Sequence, residues 1–370
     1  MSLSIGIVGL PNVGKSTLFN ALLKRQAALA ANYPFATIEP NIGVVDVPDA
    51  RLEKLAEIVR TDYGHKMGDR EVPEKIIPSV VKFYDIAGLV KGASSGEGLG
   101  NEFLGHIREV DAIVQVVRAF EDDNVIRAGS STPEDDIEVI NTELILSDVQ
   151  LLDKKLEKSE RDLKMDKSIE GTKRYDLLTN IRNALGEGKF ASTVTTNPEE
   201  LTLLKEYNLL TLKPVIYVFN SSESGVTPEI AGIIEKYNGV SISAKIESEI
   251  ASLENEEDRK EFMAAMGLTE SGLNQVIKKG FDILGLQSYL TMGPKEVRAW
   301  TIKKGATAPE AAGVIHSDFQ RGFISAEIIS YDDVVNAGSL KVARDKGLVR
   351  LEGKSYIMHD GDVVEFNFSV

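Results

Sequence analysis

A short loop near the amino terminus constrains the fold of this chain more than any other feature. Residues 9–16 read GLPNVGKS and fit the pattern G-x-x-x-x-G-K-[ST]. The apolar, β-branched run 5–8 precedes this motif, and the helix-like run 17–23 follows it. A strand, a glycine-containing loop and a helix in this order predict a loop whose backbone N–H groups surround phosphate oxygens at a helix amino terminus.

The chemistry of such a loop assigns a role to its last residues. Lys15 is expected to reach the β- and γ-phosphates of a nucleotide, and the Ser16 hydroxyl is expected to bind Mg²⁺. A glycine-containing turn with a solvated surface lysine is the alternative, and the flanking strand and helix argue against it. The predicted nucleotide-binding residues in this region are Asn12, Val13, Gly14, Lys15, Ser16 and Thr17.

Two further segments complete the predicted phosphate site. Asp85 and Gly88 form a D-x-x-G motif at the end of a second apolar strand, where a carboxylate binds near Mg²⁺ and a glycine N–H meets the γ-phosphate. Thr37, in a predicted loop, is the candidate for a second hydroxyl ligand of Mg²⁺ and for the γ-phosphate sensor. The predicted catalytic residues are therefore Lys15, Thr37 and Gly88, and the predicted metal ligands are Ser16, Thr37 and Asp85. Taken alone, Asp and Gly commonly close strands, and a lone loop threonine is usually without a role.

Polar residues after two later strands predict the base-binding part of the site. Asn220 follows the apolar run 215–219, and Ser243 and Ala244 follow the run 240–242. GTPases read guanine at these places with N-K-x-D and S-A-x, but here the acid is Glu223, one methylene longer than aspartate. Adenine presents the N1 acceptor, which repels a carboxylate, and its N6 amino group needs an acceptor such as the Asn220 side chain or a backbone carbonyl. We therefore expect Asn220, Ser221, Glu223, Ser243 and Ala244 to bind the base without a preference for guanine.

The order of strand-like and helix-like segments predicts an α/β fold. Apolar runs separated by helices indicate a mainly parallel sheet covered on both faces. Helical stripes from about residue 136 predict two antiparallel helices that interrupt this domain, and short strands after about residue 284 predict a small α+β module. The expected domains are residues 1–128 with 205–284 for nucleotide binding, 129–204 for the helical insertion and 285–370 for the carboxy-terminal module.

Composition limits the partners. With 57 acidic and 42 basic residues the net charge is −15, which argues against a protein that coats DNA or anionic lipid. The absence of cysteine excludes disulfides and thiolate chemistry. Neither a secretory signal nor an apolar run long enough to span a bilayer is visible, so we expect a cytoplasmic protein. The carboxy-terminal module is nearly neutral, and its basic residues, Lys303, Lys304, Lys341, Arg344, Lys346 and Arg350, are candidates for RNA contact; simple solvation of a small domain is the alternative.

Together these motifs resemble the YchF/Obg-like ATPase family over essentially the entire chain. The resemblance is carried by GLPNVGKST, PFATIEPN, DIAGLVKGAS with GEGLGN, the N-x-x-E motif and the carboxy-terminal EVRAWTI. It implies a Ras-like P-loop G domain that binds ATP in preference to GTP, a coiled-coil insertion and a ubiquitin-like TGS domain of the β-grasp type. It also implies association with the ribosome, with the large subunit expected through ribosomal RNA or a ribosomal protein.

Three positions qualify the expected reaction, which is Mg²⁺-dependent hydrolysis of the β–γ bond of ATP. Ala36 stands where members often have cysteine, and Gln115 stands where many have histidine. Leu89 follows the D-x-x-G motif, where ordinary GTPases place a water-orienting glutamine, so turnover is expected to be slow. Either K⁺ beside Asn12, which resembles a potassium-binding asparagine, or a ribosomal partner is expected to complete the site. The alternatives are an Obg-type GTPase and a ribosome-binding module in which the nucleotide is structural.

Overall fold

The structure is a computed structural model that describes residues 3–30, 41–64, 71–86, 99–122, 125, 127, 130–165, 169–253 and 255–369. The predictions for Thr37, Gly88 and Leu89 lie outside these residues. Within the described ranges, no helix is both long and apolar enough to cross a membrane. The chain forms two compact units, the first made of Met1–Val45 and Lys82–Val276 and the second of Asp46–Val81 and Ile277–Val370.

The secondary structure elements are numbered in chain order. The strands are β1 (Ser4–Val8), β2 (Ile42–Asp46), β3 (Lys75–Ile77), β4 (Val80–Asp85), β5 (Ala112–Ala119), β6 (Val215–Ser221), β7 (Val240–Ile242), β8 (Leu286–Met292), β9 (Glu296–Lys303), β10 (Phe323–Ser330), β11 (Arg350–Glu352) and β12 (Asp362–Phe368). The helices are α1 (Lys15–Ala30), α2 (Arg51–Tyr63), α3 (Leu99–Glu109), α4 (Pro133–Met165), α5 (Ile169–Gly186), α6 (Pro198–Leu204), α7 (Pro228–Lys236), α8 (Ala244–Ile250), α9 (Glu256–Ala265), α10 (Gly272–Ile283), α11 (Ala308–Ile315), α12 (Ser317–Arg321), α13 (Tyr331–Ala337) and α14 (Leu340–Asp345).

A six-stranded sheet with the order β2-β4-β1-β5-β6-β7 organises the first unit. The strand β1 pairs in parallel with β4 and β5, and β5, β6 and β7 are also parallel. Every residue of β1 and β5 is buried, as expected for strands covered on both faces. Because the carboxyl ends of parallel strands meet at one edge, the loops after β1, β4, β5, β6 and β7 converge there.

The helices α4 and α5 form the insertion within the first unit. Their apolar stripes pack against each other, and Leu152, Leu178, Ile181 and Leu185 are buried in this cluster. A mutual burial of the two stripes is what the helical spacing predicted. The first helix begins at Pro133, slightly before the predicted start near residue 136.

The second unit contains a sheet with the order β11-β10-β12-β8-β9-β3. The strand β3 pairs in parallel with β9, and α2 packs its apolar face into the same core as β8, β9 and β12 through Leu52, Leu55 and Val59. The segment 46–81 therefore lies with the carboxy-terminal strands, whereas the sequence assigned it to the nucleotide-binding domain. The proposed three-domain division stays a prediction, but the compact units divide the chain at other places.

Candidate functional site: the cavity beside the phosphate loop

The phosphate loop joins β1 to α1 through two residues with left-handed backbone conformation. Asn12 has a φ of 63° and Gly14 a φ of 100°. A Cβ at Gly9 would lie 2.7 Å from the carbonyl oxygen of Val116 on β5, so a side chain there would push the loop off the sheet. The motif therefore needs glycine at position 9 because the backbone there lies close to β5, and glycine at position 14 because the φ angle there is positive.

Lys15 lies at the start of α1 with only 8% of its surface exposed. Its Nζ donates a hydrogen bond to the carbonyl oxygen of Leu10 at 2.8 Å. Burial lowers the pKa of Lys15 to about 8, and the charge of Asp85 opposes this shift. The ammonium group is thus held inside the loop with few polar partners, which favours contact with an anion.

Asp85 is the last residue of β4 and pairs with Ile7 of β1, next to the phosphate loop. Burial raises the pKa of the Asp85 carboxyl, and the charge of Lys15 acts in the opposite direction. The structure therefore brings together the acid and the lysine that the two separate motifs predicted at one site.

Asn220, near the end of β6, connects three parts of the site. Its Nδ2 donates to the carbonyl oxygen of Val13 at 3.0 Å, and its Oδ1 accepts the backbone N–H of Ala244 at 2.9 Å. The side chain is buried and holds the phosphate loop against the loop after β7. We therefore assign Asn220 a positioning role, which differs from the expectation that its side chain accepts the adenine N6 amino group.

These loops enclose a cavity of about 760 Å³, within the usual size range of small-molecule sites. Nearly all of the predicted nucleotide-binding residues line it, namely Asn12, Gly14, Lys15, Ser16, Thr17, Asn220, Ser221, Glu223, Ser243 and Ala244. Val13 is buried behind the loop and presents its carbonyl oxygen to Asn220. The cavity is therefore formed by residues that the sequence placed at the ends of parallel strands.

The sequence analysis missed a further wall of the cavity. Phe120, Glu121, Asp122 and Val125, which follow β5, line it, as do Ser222, Ser224 and Lys245. Arg118, almost completely buried, positions this wall by donating to the carbonyl oxygens of Phe120, Asp122 and Val125 at 2.9 to 3.2 Å. The order of the strands could have indicated this wall, because β5 lies between β1 and β6, which carry predicted motifs.

Gln115 lies on β5 with only 1% of its surface exposed and does not line the cavity. Its Nε2 donates to the carbonyl oxygen of Asp136 in the first turn of α4 at 3.1 Å. The Asp136 carboxylate also accepts the backbone N–H of Arg118 at 2.9 Å. Gln115 therefore anchors the start of the helical insertion to β5, and this geometry does not favour a role in orienting water.

The donor set at the site fits Mg²⁺. Ser16 supplies a hydroxyl and Asp85 a carboxylate, and Mg²⁺ typically takes one or two protein ligands together with phosphate oxygens and water. Within the part of the chain that the structure describes, no group of three or more His, Asp or Glu residues could hold a metal ion.

Comparisons with known proteins agree with this arrangement. Residues 4–147 match a family model described as "50S ribosome-binding GTPase", and residues 286–369 match the YchF-GTPase_C model, described as a protein of unknown function. A curated relative from Bacillus subtilis, "Ribosome-binding ATPase YchF", is 49% identical and is covered completely by this chain, which it covers completely in turn. The chain belongs to the YchF family. The "Ribosome-binding ATPase YchF" of Haemophilus influenzae is 48% identical with the same full coverage.

The fold of the YchF family is also seen in a solved structure. The Schizosaccharomyces pombe YchF GTPase matches with a TM-score of 0.86 and 35% sequence identity, over 99% of this chain and 98% of that one. The predicted fold class, a P-loop α/β domain with a helical insertion and a carboxy-terminal α+β domain, is confirmed. The name TGS for the last domain stays a prediction.

Proposed function

We propose that this chain is an Mg²⁺-dependent ATPase that binds the ribosome and switches a binding surface according to its nucleotide. The observation that carries this proposal is the convergence of Lys15 and Glu223 on one cavity at the carboxyl edge of a parallel sheet, with the charge of Asp85 acting on Lys15. Lys15 and Asp85 meet the needs of a polyphosphate and its cation, and Glu223 lies where a base would be read.

Each residue of the site has a defined task in this proposal. The Lys15 ammonium neutralises charge on the β- and γ-phosphates, while Ser16 and Asp85 hold Mg²⁺ together with Thr37. When bound, Mg²⁺ supplies charge neutralisation at the phosphate oxygens. Gly88 is proposed to donate its N–H to the γ-phosphate.

We propose slow turnover because leucine stands at position 89, where ordinary GTPases have glutamine. Leucine at position 89 can neither donate nor accept a hydrogen bond. Gln115 does not replace the missing glutamine, because its side chain is engaged with Asp136 away from the cavity. We therefore propose that K⁺ beside Asn12, or a ribosomal component, completes the arrangement that hydrolyses ATP.

Ribosome binding is proposed from the printed names of the relatives and from the surface of the second unit. Three of the basic residues predicted to contact RNA are in ion pairs: Arg344 with both Glu327 and Glu365, at 2.9 and 2.8 Å, Lys304 with Asp282, and Arg350 with Glu352 at 4.0 Å. Lys341 and Lys346 are exposed on or beside α14 and make no ion pair among the described residues. We propose these two lysines for contact with the large subunit, in the cytoplasm.

Single-turnover hydrolysis of ATP and GTP, measured with and without ribosomes, tests the proposal. We expect ATP to bind more tightly than GTP, hydrolysis to be slow alone and faster with ribosomes, and Lys15→Ala to lose both binding and hydrolysis. ATP binding without hydrolysis under either condition would favour the alternative, a ribosome-binding module with a structural nucleotide. A preference for GTP would return the chain to the Obg-type GTPases.

A further inference from the structure

Glu223 is presented to the cavity by a tight turn and is paired with a lysine in the first turn of a helix. The N–H of Gly225, with a φ of 88°, donates to the carbonyl oxygen of Ser222 at 3.1 Å and closes the turn. Lys245, near the start of α8, places its Nζ 2.5 Å from Oε1 of Glu223. Both residues line the cavity. The Glu223 carboxylate, which would read the base, therefore forms an ion pair with the Lys245 side chain of the same cavity.

The pairing matters because a free carboxylate and a paired one select different bases. Guanine presents two donors, N1–H and the N2 amino group, which two free carboxylate oxygens accept together. Adenine presents the N1 lone pair at the same place, which a free carboxylate repels. A lysine ammonium that pairs with the carboxylate occupies one of its oxygens, so the two acceptors that guanine needs are no longer both free.

The ion pair is positioned by fixed elements on both sides. The turn at residues 222–225 is closed by backbone and side-chain hydrogen bonds, including Ser222 Oγ to the Gly225 carbonyl oxygen at 3.1 Å. On the other side, Asn220 holds the N–H of Ala244, the residue before Lys245. The two chain segments are thus joined beneath the pair by a buried hydrogen bond, which keeps the carboxylate and the ammonium within reach of each other.

We propose that Lys245 is a positioning residue for base selection, which acts by occupying the carboxylate of Glu223 and so removes the acceptor pair that guanine requires. This inference rests on the proposed function, in that a nucleotide base lies in this cavity. Because the side chains of Lys245 and Glu223 are 71% and 50% exposed, the coupling is screened by solvent and its effect is modest.

The test compares the affinities for ADP and GDP, measured by calorimetric titration in the presence of Mg²⁺. Lys245→Met removes the charge and keeps most of the aliphatic stem, and we expect it to shift the GDP-to-ADP affinity ratio toward GDP by about threefold to fivefold. In a Glu223→Ala background the same substitution should leave the ratio unchanged. Inosine diphosphate, which keeps N1–H and lacks the N2 amino group, should shift in the same direction as GDP.

Two controls separate this coupling from a general loss of positive charge. Lys245→Arg should keep the ratio close to that of the unsubstituted protein. Lys236 is a matched lysine in the first unit, paired with Glu134 at 2.6 Å outside the cavity, and Lys236→Met should not change the ratio.

An unchanged ratio in Lys245→Met would overturn the inference. An equal shift with and without Glu223 would also overturn it, because Lys245 would then act on the nucleotide directly. The proposed ATPase function is tested separately by whether the unsubstituted protein binds ADP or GDP more tightly, and tighter binding of GDP would contradict that proposal. In either case, the comparison of Lys245→Met with and without Glu223→Ala decides the role of Lys245.

Discussion

Asn220 fills the space that a side chain at Gly14 would need. A Cβ built on Gly14 would overlap the side-chain amide nitrogen of Asn220, the same atom that donates to the carbonyl oxygen of Val13. The glycine of the phosphate loop and the asparagine of the base-side motif are therefore adapted to each other, although more than half of the chain separates them in sequence.

Gly14→Ala is expected to abolish tight nucleotide binding. Alanine at a φ of 100° is strained, and its methyl group would displace Asn220 from the loop. We expect ADP affinity to fall by more than about tenfold in a calorimetric titration. Gly232→Ala, at an exposed position of α7 where a Cβ meets nothing within 4 Å, is the matched control and should bind ADP normally.

Asn220→Ala is expected to lower both stability and nucleotide affinity. It leaves the carbonyl oxygen of Val13 and the N–H of Ala244 without their partner, a loss of about 1–3 kcal/mol in the free energy of unfolding. Asn220→Asp keeps an acceptor for Ala244 but places a carboxylate against the Val13 oxygen, so it should not restore affinity. Thermal unfolding and ADP titration of the two variants check this, and normal affinity in Asn220→Ala would contradict the positioning role.

The affinity for ADP is expected to fall as the pH rises through about 8. The pKa of Lys15 in the free protein is about 8 because burial disfavours its charge. Bound phosphate favours the ammonium form and raises this pKa, so the complex holds a proton that the free protein loses above pH 8. Titrations at about pH 7 and about pH 9, in buffers of different ionisation enthalpy, should show weaker binding and proton uptake at the higher pH. A flat profile without proton uptake would contradict the assigned state of Lys15.

Potassium is expected to stimulate ATP turnover more than sodium at equal ionic strength. The prediction rests on Asn12, which lines the cavity in a left-handed conformation at the tip of the phosphate loop. Steady-state hydrolysis in KCl and NaCl measures it, and Asn12→Ala should remove the difference. Identical rates in both salts would leave a ribosomal component as the activator.

Lys341→Glu combined with Lys346→Glu is expected to weaken cosedimentation with ribosomes, most strongly at low salt, and the difference from the unsubstituted protein should shrink as salt is raised. Reversal of Arg344 is a poor test, because a carboxylate there would face Glu327 and Glu365 and destabilise the unit. A variant with the same charge change elsewhere, Lys75→Glu with Lys295→Glu at exposed positions of the same unit, is the control. Undiminished binding in the first variant would direct attention to the helical insertion.

The parts of the site that sequence reasoning found are those specified by local pattern. The phosphate loop, Asp85 and Asn220 each follow an apolar strand, and parallel strands bring such positions to one edge. Lys245 occupies the unspecified position of S-A-x, and the wall after β5 contains no motif, although β5 lies between two strands that carry motifs. Neither was predicted, because the ion pair of Lys245 with Glu223 and the place of the wall in the cavity depend on how the loops are arranged in the fold. The position of Asn220 in the site was predicted, but its positioning role was not. Its two hydrogen bonds connect loops that are distant in sequence and become evident only in the structure.

The second unit shows a similar limit. The sequence predicts strands at residues 297–302, 322–329, 349–351, 356–358 and 363–368, and β9, β10, β11 and β12 lie within about one residue of four of these ranges. The run 286–292, with its mixture of polar and apolar residues, was not recognised as β8, while residues 356–358 form only an isolated bridge between Ile357 and Thr307. Nothing in the local pattern of residues 75–77 indicates that they pair with β9, because that partner is encoded more than two hundred residues later.

The second unit is formed by two chain segments that are far apart in sequence, so its parts are synthesised at different times. Leu52, Leu55 and Val59 on α2 bury themselves against Leu290, Val297 and Val363, which leave the ribosome only after the whole first unit has been made. At a synthesis rate of about 5–20 residues per second, this apolar face waits roughly 10 to 60 s for its partners. During that interval the growing chain carries an uncovered hydrophobic helix close to its amino terminus, and the first unit must be able to fold around it.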